Sequence, residues 1–344
     1  MNIKSFRDSY HRFPVIEHEN IVPNNPLVSV CVQAYQHESY IHDCIQSILS
    51  QKTNFKFEIL IGEDQSSDKT RDICKDYAKK YPEVIRLFLH HRGNNIRINN
   101  MSTGRFNILY NLASANGKYI ALCDGDDYWM DDYKLEKQLH ISENKNCAVV
   151  VSDYFYKNGK NFTDPNKMSQ LTGQNYFRVD AHQIPEEVYH FSHISTFFFD
   201  RSLVNKIFSE PWTFKAWGLD TVLTPLFLKN GIVFYLNEKT AVYRIRGTGQ
   251  SSMKEEGKGN IHKYKYLQYK ELKIQYPAFN KNIVFEQNVA LIKYFSRSLD
   301  FSIIGDFYYS FFFMLSRSKL MFLKSEVKKI IKNLGSKLIN RLGY

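Results

Sequence analysis

The sequence predicts an α/β fold, a mostly parallel sheet flanked by helices, followed by a helical C-terminal extension. Three observations carry that prediction. Apolar runs of strand length near 27–32, 57–61, 84–89 and 119–123 alternate with stretches of helical periodicity. Three of those runs stop on polar loops, 33–38, 62–68 and 124–127, and in parallel sheets ligands bind beyond the carboxyl ends of the strands. After about residue 260 the strand-like runs give way to helical patterning.

Residues 1–25 read as a polar, irregular N-terminal extension ending in Pro23-Asn-Asn-Pro26. Leu27-Val-Ser-Val-Cys-Val32 reads as a buried strand. Ser39 is a candidate N-cap for a helix with Ile41, Cys44, Ile45, Ile48 and Leu49 on one face. Phe57-Glu-Ile-Leu-Ile61 forms the second strand, and Ser67 or Asp68 caps a helix that Pro82 stops. Val84 to Leu89 is the third strand. The Asn/Arg-rich loop 91–101 follows, and Ser102 or Thr103 opens a helix carrying Ile108, Leu109 and Leu112.

The fourth strand, Tyr119 to Cys123, ends on three carboxylates, Asp124, Asp126 and Asp127, with Gly125 permitting a tight turn. Carboxylates crowded at a strand end repel one another unless a cation sits among them. Oxygen ligands suit Mg²⁺ or Mn²⁺ bridging to substrate phosphates. A solvated acidic turn would show the same short motif, so the flanking segments decide between the two readings. There is no G-x-G-x-x-G after the first strand and no G-x-x-x-x-G-K-[ST], which disfavours a dinucleotide fold and excludes a P-loop.

Val28-Ser-Val-Cys-Val-Gln-Ala-Tyr-Gln, Glu58-Ile-Leu-Ile-Gly-Glu-Asp-Gln-Ser-Ser-Asp-Lys-Thr70 and Gly117-Lys-Tyr-Ile-Ala-Leu-Cys-Asp-Gly-Asp-Asp-Tyr-Trp129 resemble the signature segments of GT-A-fold family 2 glycosyltransferases. The resemblance extends over about residues 27–252. It implies an inverting transfer of a sugar from a nucleotide-diphosphate sugar, with uridine the commonest base, and a divalent metal. By position it implies that Ala34, Tyr35 and Glu38 line the nucleotide pocket and that Asp64 faces the base or ribose. Asp124 lies near ribose and metal, and Asp126 is the direct metal ligand. Asp127 stays open between a supporting place behind the metal and a helix N-cap. Lys134-Leu-Glu-Lys-Gln138 also resembles the family and reads as the structural start of an amphipathic helix.

In the second half, Cys147-Ala-Val-Val-Val151 is a further strand, and 157–175 is a loop and a candidate acceptor-side lid. His190 and His193 have no metal-like partner at helical spacing and read as structural or as acceptor contacts. An inverting transfer needs a base for the acceptor hydroxyl. The family places an acidic residue for it well after the metal motif, and Asp220 in Trp217-Gly-Leu-Asp-Thr221 fits, 94 residues after Asp126. Asp220 can also cap a helix starting at Thr221, one that Pro225 would kink or delay. Glu210 is the reserve candidate. Gly231–Leu236 and Thr240–Ser252 resemble the family's strand pair and closing loop, with Arg246 where relatives usually carry His. A guanidinium cannot ligate a metal; Arg246 is instead assigned to a diphosphate oxygen of the donor.

Composition bounds the rest. The chain has 344 residues, 43% hydrophobic and 24% charged, values that fit a globular protein and exclude a disordered one. Five cysteines in apolar contexts, without C-x-x-C, read as buried thiols of a reducing compartment. Of the net charge of +11, residues 307–344 hold eight Lys/Arg against one Glu. The longest uncharged apolar stretch lies between Asp306 and Arg317 and is half of the roughly 20 residues a spanning helix needs. With no signal-like N-terminus, the expectation is a chain neither secreted nor membrane-spanning. Leu320, Leu323, Val327, Ile330, Leu334 and Leu338 step along one face of a helix with Lys324, Lys328, Lys332 and Arg341 elsewhere on it. Beside Phe311–Leu315 this suits an anionic membrane surface; a helix pair packed on protein would show the same pattern.

The expected domains are 1–25, a catalytic region 26–255 (a nucleotide-sugar half to 130 and an acceptor half from 131), and a basic helical region 256–344. The expected function is transfer from a nucleotide-diphosphate sugar, UDP-linked by resemblance, to a hydroxyl of a glycan or lipid-linked glycan, on the inner face of a bacterial cell membrane. The rival reading is a nucleotidyltransferase or sugar-nucleotide-binding protein of the same class. The former wants a Gly-rich basic loop where Gln33–Glu38 has neither Gly nor Lys. No nucleic-acid-binding motif is present.

Overall fold

The computed structural model describes every residue except 99–100, 165–167, 169–171, 187, 247–254 and 343–344; for 255–260, 335 and 337–342 it describes the backbone alone. The chain forms two compact units, Met1–Ile184 with His190–Ile245, and Pro185–Tyr189 with Arg246–Tyr344.

The first unit is built on a sheet whose main order is Ile16–Glu17, Ile85–Leu89, Phe57–Glu63, Val28–Ala34, Tyr119–Asp124, Phe198–Asp200, Val149–Asn158, Val233–Arg244 and Tyr176–Arg178. The four strands from Ile85–Leu89 to Tyr119–Asp124 run parallel, and their largely apolar runs suit strands covered on both faces. Val28, Val30, Val32 and Ala34 pack with Ile41, Cys44, Ile45 and Ile48 of the helix Ile41–Leu49. Across the sheet Asn111, from the helix Arg105–Ser114, donates its amide to the Val32 carbonyl at 2.9 Å. Register aligns the strand ends: Gln33 stands opposite both Gly62 and Asp124. The loops after Ala34, Glu63 and Asp124 therefore open from one edge.

All five cysteines are buried and free; Cys44 and Cys123 approach to 3.7 Å between sulfurs. Several local expectations are corrected. Residues Ile3–Tyr10 are a helix rather than an irregular segment, capped by Asn2 accepting from the Ser5 N–H. Phe6 anchors it among Phe106, Phe208 and Phe214. The helix after Ser39 starts beyond Tyr40 without a side-chain cap. The segment 157–175 begins as a hairpin, Val149–Asn158 with Asn161–Thr163, turning at Gly159 where φ is 60°. The expected strand pair at 231–252 is a single strand, Val233–Arg244, with register shifts between Leu236, Lys239 and Ala241.

The second unit holds the helices Glu255–Gln275, Asn280–Ser298, Ile304–Ser316 and Leu320–Leu342. Its core comprises Phe285, Ile292, Phe295, Phe307, Met314 and Leu323, with Phe295 and Phe307 stacked at 4.2 Å. Leu323 is buried there and Ile330 packs against it, so part of the stripe assigned to a membrane faces protein instead. Leu338 and Arg341 lie outside the described side chains.

His90, just past Ile85–Leu89, is buried with its ring edge-on to Phe106 and Tyr110, and neither ring nitrogen meets a partner among the described residues. Burial pushes its pKa down to about 3, with His11 and Arg71 adding to the effect. The folded state therefore refuses a proton that the unfolded chain takes below its ordinary value of about 6.5. His90 costs nothing above that pH, and lowers stability as pH falls from there toward 3, by about 1.4 kcal/mol per unit. Urea titrations at pH 7.5 and pH 5 should show His90→Phe losing about 2 kcal/mol less than the wild type between the two. Equal losses would show that His90 is not held neutral.

Candidate active site

The acidic turn is fixed by backbone before any side chain acts. Gly125 N–H donates to the Gln33 carbonyl at 2.9 Å, and Asp127 N–H donates to the Asp124 carbonyl at 2.9 Å. A Cβ on Gly125 would sit 2.7 Å from the Gln33 oxygen and 2.8 Å from His37 Nδ1, so no larger residue fits this turn. Asp124 and Asp126 are partly exposed, whereas Asp127 is fully buried.

Asp127 has a defined place that the sequence left open. No helix begins there; Tyr128–Trp129 pairs with Ala241 and Val242. Ser195 donates its hydroxyl to Asp127 Oδ2 at 2.6 Å, and Arg244 N–H donates to Oδ1 at 3.0 Å. His193 Nδ1 stands 3.4 Å from Oδ2. Burial, then Asp126 and Asp124, hold the Asp127 carboxyl well above the usual carboxylate range, against these donors. The residue is a buried clasp joining the acidic turn, the 3-10 turn Ile194–Thr196 and the end of the long strand.

Among the described residues, one group of three side chains has the donors for a cation. One atom each of Asp124, Asp127 and His193 lie within 4.8 Å of one another. Carboxylates and an imidazole fit a hard divalent ion. Both oxygens of Asp127 already accept from protein donors, and His193 Nδ1 accepts from Ser195 N–H at 3.3 Å. Asp126 lies outside that group, with Oδ1 4.0 Å from His37 Nε2. His193, read from sequence as structural or an acceptor contact, is thus beside the acidic turn. Its ring stacks on Tyr243 at 4.3 Å, and burial pushes its pKa down to about 4.

At the neighbouring strand ends, Ala34 is buried and its carbonyl accepts from Asp64 N–H at 3.0 Å. Asp64 is buried and bonded by the Arg92 guanidinium and by Asn95 Nδ2 at 2.8 Å. Burial pushes its pKa up to about 6, with Arg92 pulling the other way. Tyr35 is exposed, and the Arg92 guanidinium lies 3.9 Å from its ring centroid. Glu38 turns instead to the next loop: its carboxylate accepts from Lys69 N–H at 3.0 Å, and its own N–H donates to Asp68 at 3.1 Å. Arg92 and Asn95 were not assigned from sequence, although the Asn/Arg-rich loop that carries them was visible.

Asp220 is the first residue of the helix Asp220–Asn230, whose interior accommodates Pro225. Its Oδ1 accepts from Thr221 N–H at 2.8 Å, and Oδ2 lies 3.7 Å from His190 Nδ1. A Cβ on Gly218 would stand 2.3 Å from that Oδ1, so the carboxylate folds back over a glycine. Asp220 and Asp126 both favour the charged form of His193, against its burial, and Asp220 itself meets His190, three residues before the His193 that touches Asp127. The reserve residue Glu210 is nearly buried and caps the turn Pro211–Phe214 through Trp212 N–H. Sequence reasoning missed Arg105. It is buried and donates to the carbonyls of Thr213, Ala216 (2.9 Å) and Trp217 (3.3 Å), fixing the approach to Asp220. Arg246 opens the long segment of the second unit, and the closing loop from 247 lies outside the described residues.

The profile of the family described as Glycosyl transferase family 2 matches residues 29–208. The putative teichuronic acid biosynthesis glycosyltransferase TuaG of Bacillus subtilis is 34% identical over 129 residues, covering 38% of this chain and 47% of TuaG. The chain spans less than half the length of the first curated relatives it matches, from 30% to 47% of each. Among solved structures, S. aureus TarS 1–349 in complex with UDP-GlcNAc superposes with a TM-score of 0.54 at 18% identity, over 80% of this chain and 75% of that one. The mannosyltransferase PcManGT from Pyrobaculum calidifontis, in complex with GDP-Man and Mn²⁺, gives 0.56 at 14% identity, over 97% and 95%. These likenesses show the GT-A fold that the sequence predicts.

The clasp is testable. Ser195→Ala removes one donor from a buried carboxylate, a loss of about 1–3 kcal/mol in urea unfolding at pH 7. A change near zero would mean that Asp127 does not depend on Ser195.

Proposed function

Since this chain belongs to glycosyl transferase family 2, we propose that it moves a sugar from a nucleotide-diphosphate sugar to a hydroxyl of a glycan or lipid-linked glycan, with inversion at the anomeric carbon. One observation carries the reading: the short segment 190–193 touches Asp220 at its first residue, His190, and the acidic turn, through Asp127, at its last, His193, while Asp64, Tyr35 and Arg92 form a second polar cluster at the adjoining strand ends. The reaction needs both, a place for the nucleotide and a base beside the leaving diphosphate.

In this reading the base or ribose lies at Tyr35 and Asp64, and Glu38 shapes the loop beneath it. Arg92 covers the Tyr35 ring and holds Asp64; a base stacking on Tyr35 displaces that guanidinium. Asp124 and Asp126 would hold a divalent cation, Mn²⁺ or Mg²⁺, with Asp127 clasped behind them. That cation supplies positive charge to offset what grows on the diphosphate as the glycosidic bond breaks. Asp220 takes the proton of the acceptor hydroxyl, whose oxygen attacks the anomeric carbon from the side opposite the diphosphate. His190, 3.7 Å from Asp220, orients that carboxylate.

A UDP sugar is the donor we favour on family resemblance; the structural neighbours carry UDP-GlcNAc in one case and GDP-Man in the other. The acceptor class draws support from a relative named for teichuronic acid biosynthesis. The acceptor in this reading is a cell-surface glycan precursor assembled at the inner face of the membrane. No helix among the described residues is long and apolar enough to cross a membrane.

Melting temperatures with UDP, GDP and their sugars, with and without Mn²⁺, test the donor site, because a ligand that binds only the native state raises the transition. One nucleotide should give a Mn²⁺-dependent rise that Asp126→Ala abolishes. Asp220→Asn, which keeps the acceptor for Thr221 N–H, should retain that rise and lose about 10²–10⁴-fold in transfer rate. Absence of any nucleotide shift in the wild type would overturn the reading. Full activity in Asp220→Asn would move the base elsewhere.

A further inference from the structure

We infer that the second unit docks on an anionic lipid surface through the outward side of the helix Ile304–Ser316 and the first turns of Leu320–Leu342. The stripe that the sequence nominated is in part turned inward, with Leu323 buried and Ile330 packed on the same cluster. A different apolar face is left open. Tyr308, Tyr309, Phe312 and Leu315 recur at helical spacing on Ile304–Ser316, and Tyr309 and Phe312 are 69% and 63% exposed. Past the short connection, Leu320 and Met321 are exposed as well, Met321 to 86%. Large apolar residues clustered this way on a surface mark an interaction site.

Charge selects the occupant. Lys324, Lys328 and Lys332 follow Met321 at offsets of 3, 7 and 11, on the same side of the helix, and all three are exposed. The single acidic residue of 307–344, Glu326, is buried and bonded by Ser296, Arg297 and Lys329, so it does not offset them. Asp306, bonded by Tyr266, stands at the far end of its helix from the connection. Two consecutive helices thus expose, in turn, aromatic rings and a row of one sign. An anionic bilayer answers both: rings with polar edges settle at headgroup level, and each lysine near the surface adds attraction. A second copy of the chain would set lysine against lysine. The contact proposed is peripheral; no described helix is long and apolar enough to cross a bilayer.

The test is co-sedimentation of the full chain with vesicles of phosphatidylglycerol in phosphatidylcholine, against phosphatidylcholine alone, beside the molecular mass in lipid-free buffer. The assay uses neither donor nor acceptor, so its outcome is independent of the transfer chemistry. The wild type should bind the anionic vesicles only, and less as salt rises. Lys324→Gln/Lys328→Gln/Lys332→Gln should bind roughly 100-fold more weakly, near 1 kcal/mol per lysine. Phe312→Ser/Met321→Ser, at exposed positions, should keep the melting temperature and also lose vesicle binding. Wild type that stays in the supernatant, or either variant binding as the wild type does, overturns the proposal. A dimer in buffer that Phe312→Ser/Met321→Ser dissociates, without vesicle binding, assigns the face to a second copy instead.

Discussion

The site depends on one buried carboxylate. Asp127 accepts from a side chain on the 3-10 turn at Ser195 and from the backbone at Arg244, 68 and 117 residues away. Even against those donors, burial beside two other carboxylates makes its charged form costly. Through the donors it ties three segments together, and the two partly exposed carboxylates before it inherit their direction from that tie. Gly125 does the complementary work on the other side, letting the turn press against the Gln33 carbonyl where a Cβ could not go. The acidic turn is thus held by backbone and buried side chain together, which matters in the proposed role, where its carboxylates present oxygens to a cation and a diphosphate without first reorganising.

What the sequence made legible was local. Apolar runs ending on polar loops announced the parallel strands, and register did place Gln33, Gly62 and Asp124 side by side. Asp124, Asp126 and Asp220 could be nominated because each sits in a short, recognisable context. The arginines could not. Arg105 acts on carbonyls 108 to 112 residues away, and Arg92 on a carboxylate 28 residues back, across a sheet edge. Backbone acceptors leave no mark in a sequence, and a charged residue within a polar loop looks solvated until its partner is known. The same limit hid the N-terminal helix, since eight residues with a single buried side chain, Phe6, carry little periodic signal.

The C-terminal helices show the converse error. A stripe of Leu, Val and Ile at helical spacing records only that one side of a helix is apolar; it does not say whether protein or lipid covers it. Here Phe285, Phe295 and Phe307 supply protein for Leu323 and Ile330. The face that remains open is aromatic, and it lies on the preceding helix, in a run rich enough in Phe and Tyr that no amphipathic period stands out. Exposure, not periodicity, separates the two.

Arg105 gives the arrangement its functional sense. It opens the helix after the Asn/Arg-rich loop, so it belongs to the half of the unit that carries the Asp64, Tyr35 and Arg92 cluster, yet its guanidinium fixes the path of residues 213–217 that leads to Asp220. A guanidinium holding three carbonyls constrains backbone rather than side chains. Thr213, Ala216 and Trp217 could therefore be replaced without releasing the loop, so long as the chain path is kept. The position of Asp220 is in this way separated from the chemistry of the residues around it. With Asp220 in its proposed role as base, the surface that meets the acceptor could then vary while the carboxylate keeps its place.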